Sequence, residues 1–222
     1  MVQFGFFVQI CFLAIMTLTC AKEYKYAIDL AIEGSPSAFK CLYLKGYTTV
    51  FFEAYNPKNG GTLNPNLIPN MKNSAAAGLK MEAYVSPATA DKTGAAQFDA
   101  AYNYMSASGF KVSNIWLKIT LPINWSSDVQ HNIALIQSFV DQAKSKGVFV
   151  GIFTNWYDWQ QITGSYTGFS SLRLWYWNQG PNVESVASFD DFQPFGGWSA
   201  PALKQFSFNQ ALCELTVNRD VY

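Results

Sequence analysis

A chain of 222 residues is long enough for one sizeable domain and too short for two comfortable ones. Half of the residues are hydrophobic, so a full core can be built, while the formal net charge is zero and only 14% of residues are charged. Without a Lys/Arg-rich run, that balance excludes a nucleic-acid partner held by phosphate neutralisation. Aromatic residues reach 17%, enough both to fill a core and to leave rings free for stacking on flat or apolar ligand surfaces.

The chain opens with Phe4 to Cys20, an uncharged stretch in which Phe6, Phe7, Val8, Ile10, Phe12, Leu13 and Ile15 cluster. This is the length of a signal-peptide apolar core with its flank and is short for a membrane span. The small residues Thr19 and Ala21 suit a cleavage site before the polar Lys22-Glu23-Tyr24-Lys25. The leader carries no Lys or Arg ahead of its apolar core, so its positive charge comes from the amino terminus alone. Residues 1–21 are therefore expected to be a cleaved signal peptide, a membrane anchor being the alternative, and residues 22–222 a domain that is secreted and extracellular, or held in secretory or lysosome-like vesicles, with no membrane contact after cleavage.

Cleavage removes Cys11 and Cys20 and leaves Cys41 and Cys213. Two cysteines in an oxidising compartment point to one bridge, two buried free thiols being the alternative. Closing so long a loop would stabilise the fold by roughly 5 kcal/mol in the chain-entropy model. The sequon Asn124-Trp125-Ser126 marks Asn124 as a glycosylation site on the same secretory route.

Within the domain, strands and helices alternate. Tyr26–Leu30 reads as a strand, and Ser35-Pro36-Ser37 caps a helix running to Leu44 before Gly46. Thr48–Tyr55 is the second strand, Asn56–Asn64 a turn-rich loop, and Asn66–Ala77 a helix stopped by Gly78. Lys80–Val85 is the third strand and Thr93–Ser108 an amphipathic helix before Gly109. Asn114–Thr120 is the fourth strand, Val129–Lys146 the longest helix, and Val148–Thr154 the fifth strand. Beyond Tyr166 the rhythm changes to short strands at Leu172–Trp177, Ala202–Ser207 and Leu215–Val217. Helix, glycine and strand in repeated succession imply parallel strands with crossover helices, and so an irregular (β/α) barrel of TIM type in a single α/β domain.

In such barrels the working site lies at the C-terminal strand ends. Side chains alternate along a strand, which places Asp29 inward on the first, Glu53 with Tyr55 on the second and Glu82 with Tyr84 on the third. The fourth turns Trp116, Lys118 and Thr120 inward, and Trp175 pairs with Trp177 on the sixth. Three carboxylates, one ammonium and several rings are thus expected around the mouth. His131, the only histidine, falls early in the long helix as a solvated residue.

Several stretches together resemble the protist- and nematode-like branch of the glycoside hydrolase family 25 lysozymes. They include Tyr26-Ala27-Ile28-Asp29-Leu30, Ala38-Phe39-Lys40-Cys41, Lys45-Gly46-Tyr47, Asn64-Pro65-Asn66 and Lys146-Gly147-Val148 leading into Gly151. Leu174-Trp175-Tyr176, Ser188-Phe189-Asp190-Asp191-Phe192, Pro194-Phe195-Gly196-Gly197-Trp198 and Lys204-Gln205 follow in the same order. The resemblance implies a flattened barrel, cleavage of peptidoglycan between amino sugars, a part in innate antibacterial defence, and a Cys41–Cys213 pair.

The chain departs from that family where the chemistry is expected. The family's fourth strand ends Trp-Leu-Asp-x-Glu, the glutamate serving as general acid, whereas this chain reads Trp116-Leu117-Lys118-Ile119-Thr120. The family's Val-Asp-x-Asn becomes Val217-Asn218-Arg219-Asp220, and its second-strand arginine becomes Glu53. Asp29 alone keeps the family identity. A glycosidase needs a proton for the leaving oxygen and negative charge near the anomeric carbon; threonine supplies no such acid, and a lysine near its ordinary pKa is a poor one.

The expectation is a pseudoenzyme that binds peptidoglycan or a related amino-sugar glycan through Glu53, Glu82, Tyr84, Trp175 and Trp177. Asp29 is its one retained catalytic position, beside the degenerate Lys118, Thr120 and Asn218. The alternative is an active glycosidase in which Asp29 works with Glu53 or Glu82. A Glu53–Lys118 ion pair replacing the family's opposite arrangement is also expected, as is a monomer. No metal cluster or phosphate loop is present in the sequence, so no cofactor is implied.

Overall fold

The computed structural model describes residues 24–178, 180 and 183–222, and the expected leader lies outside them. The first strand, β1 (Tyr26–Leu30), is followed by α1 (Pro36–Leu44), whose N-cap Ser35 accepts a hydrogen bond from the Ala38 N–H. Next come β2 (Tyr47–Asn56), the two-residue β3 (Thr62–Leu63), and α2 (Leu67–Ala77), which ends on Gly78 in the left-handed conformation. Then follow β4 (Lys80–Val85), α3 (Gly94–Ala107), β5 (Asn114–Lys118), α4 (Val129–Ser145) and β6 (Phe149–Thr154). The last elements are α5 (Trp156–Thr163), β7 (Arg173–Trp177), β8 (Leu203–Leu212) and β9 (Leu215–Val221).

The strands form one sheet in the order β1-β9-β8-β7-β6-β5-β4-β2-β3, and a further pairing of β1 with β2 closes it into a barrel, with β3 as an appendage on the end of β2. Neighbours from β1 through β2, β4, β5, β6, β7 to β8 run parallel, as alternating strands and crossover helices demand. The closing strand β9 is antiparallel to both of its neighbours. Two differences from the sequence reading stand out. The eight-residue α5 falls in a stretch that gave no clear pattern, and the last two strands extend well beyond the short runs expected.

Two apolar layers result from the alternation of side chains. Outward-facing residues such as Ile28, Leu30, Val50, Phe52, Ile115, Leu117 and Ile152 pack under the helices. Inward-facing Ala27, Phe51, Tyr84, Trp116, Phe153, Trp175 and Leu203 fill the barrel itself. Gly151 is required for that filling: a Cβ there would sit 2.2 Å from the Trp116 ring, so only glycine lets the indole lie against β6. Tyr55, expected beside Glu53, belongs instead to the outer layer, because a register shift between Glu53 and Tyr55 turns the chain by one residue.

Cys41 on α1 and Cys213 in the β8–β9 turn form a disulfide, their Cα atoms 5.7 Å apart. The turn residues Cys213 and Glu214 both have positive φ (51° and 63°), the geometry of a tight two-residue hairpin.

Candidate functional site

Asp29 on β1 is 2% exposed and faces the interior. Its Oδ1 accepts from Asn218 Nδ2 at 3.0 Å, and its Oδ2 accepts from the Gln205 amide. Burial raises its carboxyl above the usual range, against the pull of Lys118 and of the two amides. Asp220 on β9 lies beside it, fully buried, with Oδ1 accepting from Trp175 Nε1 at 2.9 Å. Burial and the Asp29 charge push Asp220 well up. Burial thus works against ionising either of these neighbouring carboxyls.

Lys118 ends β5 and faces the interior, as the alternation required. Its ammonium stands 5.3 Å from the centre of the Tyr84 ring and 4.7 Å from that of Phe153, capping the aromatic filling of the barrel. It forms no ion pair within 4.0 Å among the described residues, yet its charge lowers the pKa values of Asp29, Glu53, Asp158 and Asp220 together. The expected Glu53–Lys118 contact is therefore replaced by a shared field. Glu53 Oε2 accepts from Asn64 Nδ2 (3.2 Å), just past β3, and from Asn56 Nδ2 (3.4 Å), the last residue of β2, while burial raises its pKa. Thr120 is half-buried two residues beyond Lys118, its carbonyl taking the Trp125 indole N–H at 2.9 Å.

The other expected site residues are distributed differently. Trp175 is 1% exposed and packs against Phe51 (4.5 Å between centroids), Phe153 (4.7 Å) and Trp116 (5.5 Å), so both its faces are covered. Tyr84 is buried beneath Lys118, its hydroxyl pKa raised well up by burial and neighbouring carboxylates. Neither ring can stack on a ligand, because the interior they face is filled. Glu82 lies at the opposite end of the barrel. Its Oε2 accepts from Trp116 Nε1 at 2.6 Å, and it lines a cavity with Lys80, the first residue of β4, and Arg173, the first of β7. Asp29 and Glu82 are thus not brought together at the mouth. Trp177, by contrast, is half-buried and lines a surface groove at the strand ends. Asn124 is exposed in the short 3-10 turn Pro122–Asn124 just past β5.

One residue of the mouth was not singled out in the sequence. Asp158 sits in the first turn of α5, its backbone N–H bonded to the Asn155 cap at 2.7 Å and its side chain 3% exposed. Asp158 Oδ2 and Trp177 Nε1 are both buried and face each other without closing a hydrogen bond of ordinary geometry. Burial pushes the Asp158 carboxyl up to about 6, against the pull of Trp177, the Leu121 backbone and Lys118. An Asp three residues after an Asn cap at a strand end is the only sequence signal that pointed to it.

That elevation has a measurable consequence. Between about pH 4 and pH 6 the unfolded chain ionises Asp158 while the folded chain keeps it protonated, so stability falls as pH rises through this window. The displacement corresponds to roughly 3 kcal/mol. Asp158→Asn is expected to lose less melting temperature between pH 4 and pH 7 than the wild type does, by about 6–12 °C for a domain of this size. Parallel melting curves across that range would remove the assignment.

The arrangement is a barrel mouth with a buried carboxyl pair, a cation whose charge acts on it and an aromatic groove at the strand ends. No group of three or more potential metal ligands occurs among the described residues. The sequence matches the family model described as lysozyme-like protein 1 over residues 20–206. It is 39% identical over 208 residues to lysozyme-like protein 7 of Caenorhabditis elegans, covering 90% of this chain and 72% of that protein. It is 31% identical to the probable GH family 25 lysozyme 2 of Dictyostelium discoideum, covering 88% of this chain and 89% of that one. A lysozyme of Streptomyces coelicolor superimposes with a TM-score of 0.71 at 19% identity, over 88% of this chain and 90% of that chain, which establishes the shared barrel. Family match, relatives and fold agree with the strand-end geometry, and the chain belongs to the lysozyme-like proteins of glycoside hydrolase family 25.

Proposed function

We propose that this protein is an exported component of antibacterial defence that binds peptidoglycan-type amino-sugar glycans at the barrel mouth, with hydrolysis lost or strongly reduced. The observation that carries this reading is the position of Lys118. Its ammonium sits over Tyr84 and Phe153, where the family resemblance calls for a carboxylate, and Thr120 stands where it calls for the acid. Glycoside cleavage builds positive charge at the anomeric carbon, and a fixed cation there raises the barrier instead of lowering it. A missing general acid costs a further ~10²–10⁴ in rate. Asp29 and Asp220 do not replace it, since both are walled off from solvent and occupied by Asn218, Gln205 and Trp175.

The test pairs two assays on the same purified protein. Retention on insoluble peptidoglycan without clearing of a bacterial wall suspension is the expected result. Clearing at a rate comparable to an active family 25 lysozyme would reject the loss of hydrolysis. A second reading, a working glycosidase with shifted acids, is favoured by Asp158, whose carboxyl holds its proton up to about pH 6 beside Lys118. It requires clearing that is confined to acid pH and abolished in Asp158→Asn.

A further inference from the structure

We infer that the groove beside the mouth, between the first turn of α5 and the segment Asp191–Phe195, is a sugar subsite that holds one further residue of an uncharged N-acetylated glycan chain. This rests on the glycan-binding reading above and extends it to a place that reading does not use.

The groove has a volume of about 300 Å³, at the small end of the range for ligand sites. One wall is Trp156 and Tyr157, which open α5 at 57% and 55% exposure although helix first turns gain nothing from displaying bare rings. Trp177, Phe192 and Gln193 also line the groove. A pyranose presents flat C–H faces and polar edges, and it pairs with rings on its faces and amides at its rim. Asn155, Asn178 and Gln193 supply those amides. Asn155 Oδ1 and Asn178 Nδ2 already serve Asp158 and Asp191, which leaves the Asn155 NH₂ and the Asn178 carbonyl for a ligand.

The far wall is held rigid and neutral by its own chemistry. Lys204 is 2% exposed and pairs with Asp191 at 2.7 Å, and its Nζ also donates to the carbonyls of Val186 (2.8 Å) and Ser188 (3.0 Å). The Tyr176 hydroxyl and Asn178 Nδ2 (2.6 Å) donate to the same carboxylate. Three donors thus hold Asp191 and fix Phe192 against Tyr176, ring centres 5.1 Å apart. With that charge cancelled, the groove favours a neutral N-acetyl sugar over a cationic or anionic one. A pre-formed site loses little freedom on binding, which is the condition for a weak, flat ligand to be held at all. Trp177 lines the groove, and its indole Nε1 is buried, as is Asp158 Oδ2.

Isothermal titration with N-acetylglucosamine oligomers of increasing length tests the subsite. The wild type is expected to gain about tenfold in affinity at one particular added residue, the increment that one well-stacked sugar supplies. Trp156→Ala/Tyr157→Ala should lose that step while binding the shorter oligomers as the wild type does. Trp156→Phe/Tyr157→Phe, which keeps both rings, should restore it. Since both side chains are exposed, the changes leave the core intact, and unaltered melting temperatures check this. A full length step in the alanine variant overturns the subsite and leaves glycan binding standing. A wild type that binds no oligomer of any length overturns both.

Discussion

Lys118→Asp/Thr120→Glu is expected to clear bacterial walls at a rate ~10²–10⁴ above the wild-type background, the contribution typical of a general acid. The two changes must be made together. Thr120→Glu alone places a carboxyl next to the Lys118 ammonium, which lowers its pKa and strips it of the proton it should deliver. Lys118→Asp alone removes the repulsion toward an oxocarbenium-like centre and supplies no proton at position 120. In the double variant the new aspartate joins Asp29, Asp220 and Glu53 in a chamber with no compensating cation. Mutual repulsion then drives protons onto these groups and holds the new glutamate in its acid form toward neutral pH. The rates of the single variants should therefore not multiply to that of the pair. If the double variant folds, binds glycan and still clears nothing, the mouth lacks more than its acid.

The second large effect concerns stability. The Cys41–Cys213 bridge closes a loop of 172 residues, worth roughly 5 kcal/mol in the chain-entropy model. Against a total of about 5–15 kcal/mol for a typical domain this is a large share. Cys41→Ser/Cys213→Ser should melt some 10–20 °C below the wild type. The wild type under reducing conditions should approach the same value, because the same link is removed each way. A drop of only a few degrees would mean that the unfolded chain is already compact between the two positions.

The sequence made the repeating part of the barrel legible because a glycine closes each of α1 to α4 and three of these helices start on a capping side chain. Ser35, Thr93 and Asp128 each accept a backbone N–H at a helix start, and Gly78 closes α2 in the left-handed region. The helix α5 escaped for a physical reason. Over Trp156–Thr163 it buries Asp158 and Thr163 beside Trp159 and Ile162 while exposing Trp156 and Tyr157, so eight residues blur the contrast that periodicity looks for.

The candidate site was legible in one dimension and not in the other. A period of two gives the side of the strand on which Asp29, Glu82, Tyr84, Lys118 and Trp175 project, and for these it agreed with the structure. It does not give depth along the barrel axis, which depends on strand stagger. Hence Glu82 opens at the far end and Trp175 is buried in mid-barrel, although both point inward. Tyr55 shows a further limit, since one shifted residue in β2 reverses its facing without any mark in composition. Asp158 belongs to a different class again, placed at the mouth by a helix that no pattern announced.

The antiparallel strand β9 has a bearing on how the molecule is made. It sits between β1 and β8, so the first strand to leave the ribosome waits for the last before its second edge is covered. Until then Asp29 has no Asn218 to bond, Cys41 has no Cys213, and Lys25 lacks the reciprocal backbone bonds it shares with Tyr222. Assembly of this wall must follow translation of nearly everything in between. A partly made chain therefore carries an unpaired β1 edge, the kind of surface that invites wrong pairing before closure.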